Sequence, residues 1–154
     1  MSEIDVRIVR LEPMRVAAVL GFGASPEGLA WDKMLAWLKE TQLLEDGQPH
    51  RFFGFNNPSP SAGSPNYGYE VWVTVGEHVQ AGGEVSLKDF QGGLYAVTHC
   101  KAVENIYPTW QKLARWGAES RYHMASHQWL EEHFGMLEVA PEELVLDLYL
   151  PIAE

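Results

Sequence analysis

A chain of 154 residues with 21 acidic and 11 basic side chains carries a formal net charge of −10, a balance that repels the polyanionic backbone of nucleic acid. No apolar run approaches the roughly 18 residues of a membrane-spanning helix, and the acidic start Met1-Ser2-Glu3-Ile4-Asp5 lacks the basic flank and apolar centre of a secretory leader. The single cysteine, Cys100, excludes an intramolecular disulfide framework, so a cytoplasmic protein is expected, one domain over 1–154 that needs no metal or cofactor to hold it.

Six tryptophans and an aromatic content of 12 % imply rings that fill a core or line a site for flat apolar ligands. Residues 6–11 read as an opening strand, ended by Glu12-Pro13, and 15–22 as a second, closed by Gly21 and Gly23. Ser25-Pro26-Glu27 has the residue types of a helix start: a capping hydroxyl, a proline at the first helical position and an early acid. The helix over 26–43 carries Leu29, Trp31, Met34, Leu35, Trp37 and Leu38 at spacings of three and four, a stripe to be buried.

Residues 51–56 form a third strand, and the Pro- and Gly-rich stretch 57–66 a loop, because the next strand, 69–75, pairs most simply with the one before it. After a loop at 76–83, strands at 84–90 and 94–99 flank a tight turn at Gln91-Gly92-Gly93. A second helix spans 105–119, with Pro108 in its first turn and Trp110, Leu113, Ala114 and Trp116 at core spacing. A loop at 121–126, a strand at 127–134, a loop at 135–142 and a last strand at 144–152 complete the chain.

Two of these strands repeat one another. Tyr69-Glu70-Val71-Trp72-Val73-Thr74-Val75 and Leu146-Asp147-Leu148-Tyr149-Leu150-Pro151-Ile152 both alternate, with an apolar face and a face that places a carboxylate beside an aromatic ring two residues on. The register that lays Tyr69 on Leu146 recurs, within two positions, elsewhere in the chain: Trp31 and Trp37 match Trp110 and Trp116, and Val16-Ala17-Ala18 matches Tyr95-Ala96-Val97. The expectation is an α+β fold, a tandem ββαββ repeat with halves at 6–75 and 84–152, forming a curved antiparallel sheet backed by two helices with pseudo-two-fold symmetry. A pocket is then expected on the concave face and between the halves.

The same order of motifs resembles the gyrase-inhibitor-like effector-binding domain, which also forms the ligand-sensing part of multidrug-responsive transcription regulators. Gly92-Gly93-Leu94-Tyr95-Ala96-Val97, the Trp110 helix, Trp129-Leu130-Glu131-Glu132 and the closing Asp147-Leu148-Tyr149-Leu150-Pro151-Ile152 carry the resemblance, over 6–152. It implies a pocket lined by rings with a glutamate at its floor that attracts cationic or amphipathic ligands. The family pattern, Phe-Glu-x-Tyr, falls on Leu130-Glu131-Glu132-His133 and carries the role onto Glu131. His133 departs from the pattern, and a slip of one residue gives Glu132 with Phe134, on the opposite face of the strand.

Parity groups His127, Trp129, Glu131 and His133. The expected ligand face is Glu131, Trp129, His133, Glu70, Trp72, Tyr95, His99 and Tyr149. A carboxylate among rings favours a cation, which recovers the cost of desolvating the acid and gains about 0.5–2 kcal/mol from a ring face. The expected function is binding of small amphipathic or aromatic cations by a stand-alone module, since both helices are spent on the sheet and none is left for a helix-turn-helix. Two other functions stay open: a hydrolase of small electrophiles using Glu131 with Tyr95 and His99, and a protein-inhibitor module, which the family name alone suggests. No Gly-x-Ser-x-Gly or His-Glu-x-x-His motif is present, and neither a cofactor, a metal, nucleic acid nor a membrane is expected as a partner.

Overall fold

The structure, a computed structural model, describes residues 4–57, 62–134 and 143–154. The loop expected at 135–142 and part of the one at 57–66 lie outside these residues. Two compact units are present, Met14–Phe90 and a second assembled from Met1–Pro13 with Gln91–Glu154. In the first, β2 (Met14–Gly23), β3 (Phe52–Asn56), β4 (Tyr67–Thr74) and β5 (Ser86–Phe90) form an antiparallel sheet in the order β3-β4-β2-β5.

Helix α1 (Pro26–Thr41) covers one face of that sheet. It can lie close because Gly21, opposite Tyr69, has no side chain; a Cβ there would stand 2.5 Å from the carbonyl oxygen of Pro26. The helix buries Ala30, Met34, Trp37 and Leu38. Leu29, expected in this stripe, is 48 % exposed. The expected cap is also absent: the Ser25 side chain makes no capping hydrogen bond, so Pro26 with its preset φ is what starts the helix. Gln42, in the left-handed conformation at φ 55°, ends it.

In the second unit, β1 (Arg7–Leu11), β6 (Gly93–Lys101), β8 (Leu130–Phe134) and β9 (Val145–Ala153) form an antiparallel sheet in the order β1-β6-β9-β8. A short strand, β7 (His123–Met124), pairs with the end of β9 inside a stretch expected to be loop. Helix α2 (Ile106–Glu119) backs this sheet: Leu113 packs with Ala96, Cys100, Leu146, Leu148, Leu150 and Ile152, and Trp110 and Trp116 close the edge of that core. Each of the fully buried leucines contributes about 1.5–3 kcal/mol by leaving water.

The expected turn at Gln91-Gly92-Gly93 does not join a hairpin. Strand β5 pairs with β2 and strand β6 with β1 and β9, so the strands on either side of the turn serve different units. The repeat itself holds in register. Gly54 of β3 faces Val71 of β4 as Glu131 of β8 faces Leu148 of β9, in the same register that lays Tyr69 on Leu146. The ring pairs correspond too: Trp31 and Phe52 lie 6.2 Å apart between centroids, Trp110 and Trp129 5.3 Å. The fold is α+β, a tandem ββαββ repeat in which each unit is an antiparallel sheet with one helix. Both β4 and β9 are buried on both faces: Glu70, Trp72, Asp147 and Tyr149 are all at most 5 % exposed.

Candidate functional site

In the first unit, Glu70 and Trp72 stand on the face of β4 away from α1, as alternation requires. Glu70 Oε2 accepts from Trp72 Nε1 at 2.7 Å and from Lys88 Nζ at 2.6 Å, and its Oε1 accepts from Asn57 Nδ2 at 2.9 Å. Phe55 meets the Trp72 ring edge-on at 5.0 Å and Phe90 lies 5.2 Å from it. A carboxylate this deeply buried is tolerated because its charge is paired and its oxygens are hydrogen-bonded.

The second unit holds the matching acid, Asp147, on the face of β9 away from α2. Arg7 of β1 makes an ion pair with it, and His99 Nδ1 lies 2.9 Å from its other oxygen. Next to this pair is a second buried carboxylate, Glu132 of β8, directly across from Asp147 in the ladder. Tyr149 donates its hydroxyl to Glu132 at 2.6 Å. The Tyr95 ring meets Tyr149 at 5.4 Å and His127 at 4.8 Å, both edge-on. Burial pushes the Tyr95 phenol above the ordinary tyrosine range, so it stays neutral and donates to the carbonyl of Gln128 at 2.5 Å. Glu132, Tyr149, Tyr95, Asp147 and His99 therefore share one face, of which the His99 side chain, 60 % exposed, forms the part open to solvent.

Glu131, Trp129 and His133 are not on it. Glu131 faces Leu148 and His133 faces Leu146, on the side covered by α2. Glu131 accepts from Trp110 Nε1 at 3.0 Å, and Trp129 packs against the same indole. Burial pushes the His133 imidazole down to about 4, which leaves it neutral at neutral pH. Burial, reinforced by the charge of Glu131, raises the pKa of the Cys100 thiol although its contact with Thr109 lowers it, so the thiol is held protonated. Parity does not extend to His127, because β8 begins only at Leu130; His127 Nε2 instead lies 2.8 Å from the carbonyl oxygen of Leu94.

Of the eight expected residues, the second unit thus brings Tyr95, His99 and Tyr149 together with Glu132, and sets Glu131, Trp129 and His133 on the opposite face. The proposed hydrolytic trio of Glu131, Tyr95 and His99 is split by the sheet. Lys88 and Asn57, which hold Glu70, and Arg7, which holds Asp147, were missed. The available signal was a basic residue alternating with apolar ones in strands at 84–90 and 6–11, but its partner could be named only once the register was known. A groove of about 590 Å³ lies elsewhere, between α1 and residues 80–85, lined by Trp37, Asp32, Lys33 and Glu84 among others; none of the expected residues borders it.

Several solved structures share this fold. The C-terminal domain of EcmrR superposes with a TM-score of 0.74 at 9 % identity, covering 98 % of each chain. A hydrolase from Listeria innocua matches at 0.71 and 12 % identity over 99 % of this chain and 94 % of its own. SAV2435, in a structure bound to tetraphenylphosphonium, matches at 0.66 and 10 % identity over 97 % of this chain and 94 % of its own. Among curated proteins no sequence matches. At such identities these likenesses establish the fold, and the assignment of family rests on the sequence itself. Residues 4–153 match the model of the GyrI-like small molecule binding domain, so the chain belongs to the GyrI-like family.

Proposed function

We propose that this chain binds small amphipathic or aromatic cations, and that the acid that selects them is Glu132. The observation that carries this reading is internal to the molecule. In the register of the repeat Glu132 corresponds to Phe55, and each faces the buried acid of its own sheet, Asp147 or Glu70. The first repeat therefore closes this position with a ring against Trp72, whereas the second places a carboxylate against the hydroxyl of Tyr149. A buried carboxylate costs several kcal/mol to desolvate, and the repeated fold is built at the same position without one. Glu70 and Asp147 occur in both repeats, each paired with a cation of its own unit, Lys88 or Arg7.

The family is one of small-molecule binding, and tetraphenylphosphonium, bound to SAV2435, is an aromatic cation. Tyr149, hydrogen-bonded to Glu132, and the Tyr95 ring packed against it place aromatic surface on the same face as this acid, and a ring face favours a delocalised charge over a compact, strongly hydrated one. A protein of this kind would act in the cytoplasm as a sensor or a sequestering agent for such compounds.

Titration of tryptophan fluorescence with a panel of aromatic cations and neutral isosteres tests the proposal. Glu132→Gln is expected to weaken the cations by about tenfold or more, equivalent to about 1.4 kcal/mol, and to leave the neutral isosteres near their wild-type affinity. Glu131→Gln is expected to change neither. A loss confined to Glu131→Gln would move the site to the α2 face. Mass spectra of the ligands after incubation are expected to be those of the intact compounds, and any product would favour the hydrolase.

A further inference from the structure

The first unit carries a buried carboxylate that this reading leaves unused. Glu70 has three donors: the indole of Trp72, the amide of Asn57 and the ammonium of Lys88, with Phe55 and Phe90 packed against Trp72. The first two come from β4 and the residue just after β3. Lys88 comes from β5, the strand at the end of the first unit's β3-β4-β2-β5 order. Its side chain is 45 % exposed while that of Glu70 is 4 % exposed, so the ammonium reaches a sealed acid from the solvent side.

We infer that Glu70, Asn57 and Trp72 form an ammonium site in the first unit, which the chain occupies with its own Lys88 and which an external alkylammonium can take over. Three features separate this pair from an ordinary structural ion pair. An ammonium is a compact point charge that needs no matching plane, so a free alkylammonium can reproduce its bonding to Glu70. The acid keeps two neutral donors when the lysine leaves, so the site retains its shape. The Trp72 ring, held by Phe55 and Phe90, offers the apolar wall that the methylene stem of an alkylammonium requires. Lys88 is tethered and competes at high effective concentration. The site is therefore closed to amines in the unmodified chain except at high ligand concentration, and it opens when Lys88 is removed or acylated. Its acid belongs to a different unit from Glu132.

Lys88→Ala supplies the test by chemical rescue. Its thermal midpoint is expected to fall by several degrees and to recover saturably with n-butylammonium chloride, relative to sodium chloride at equal ionic strength. The double variant Lys88→Ala/Glu70→Gln is expected to show no such recovery, and Lys88→Ala/Glu132→Gln to keep it. Absence of recovery, or equal recovery in the variant lacking Glu70, overturns the assignment. If Lys88→Ala fails to fold, acetylation of Lys88 in the wild-type chain decides instead. Its rate, relative to that of Lys112 so that reagent consumed by the amine cancels, is expected to rise severalfold with n-butylammonium chloride, and an unchanged ratio overturns the assignment.

Discussion

His133 shows what a single side chain contributes to the pH response. Burial holds its pKa at about 4 in the folded chain, against about 6.5 for an ordinary histidine. Between these values the unfolded chain binds a proton that the folded chain does not, so folding stability is present in full above pH 6.5 and declines as pH falls towards 4. The loss amounts to roughly 3 kcal/mol at most. Urea unfolding of His133→Gln is expected to have a flatter midpoint-against-pH profile than wild type over this window; parallel profiles would mean that the imidazole titrates normally. Residue types in the candidate site were readable from the sequence, and their alternation was too. What alternation could not say was which of the two faces of β8 the helix would take. Glu131 and Glu132 are adjacent acids, and only the ladder to Leu148 and Asp147 distinguishes them. The pairing of Arg7 with Asp147, at opposite ends of the chain, was invisible for the same reason.

Elements were legible where periodicity was long and clean. Both α-helices, β2, β4 and β9 fall within a few residues of their expected bounds, because apolar repeats of 3.6 and 2 leave little choice of structure. The two-residue β7 had no such signal. Between the repeats the most telling difference is at Gly54, the counterpart of Glu131. A Cβ at Gly54 would run into the ring of Tyr69, whereas the counterpart of Tyr69 is Leu146, which leaves room for the Glu131 side chain. Gly54→Ala is accordingly expected to destabilise the chain by about 1–3 kcal/mol through overpacking, and Tyr69→Leu to relieve part of that loss when combined with it. A double-mutant cycle in denaturant checks this; additive effects would mean that the two positions do not share space.

For the whole molecule, the internal duplication gave the element order but not the partition of strands. Repeats at 6–75 and 84–152 would each keep their own first strand, yet β1 belongs to the unit of β6 and β9, and β5 to that of β2. Both are short strands at one end of a ladder, and hydrophobic pattern alone does not say which ladder. Removing residues 4–11 is therefore expected to lower hydrogen-exchange protection along the β1 side of β6 and to take Arg7 from Asp147, while β2 and β4 keep their protection. Loss of protection in β2 and β4 first would contradict the partition. The loss at β6 includes the bond from Thr98 Oγ1 to the carbonyl of Asp5, at 2.8 Å, and the burial of Leu11.

The partition also bears on how the chain is made. Strand β1 is synthesised before its partner β6, and the whole of the first unit is made between them. Unit Met14–Phe90 is contiguous and can close in the meantime. A nascent β-strand waiting that long is exposed to chaperones and to other chains. Arg7 and Arg10 flank Ile8 and Val9, charges of the kind that oppose aggregation of an exposed apolar strand, and Arg7 meets Asp147 only once β9 has been synthesised.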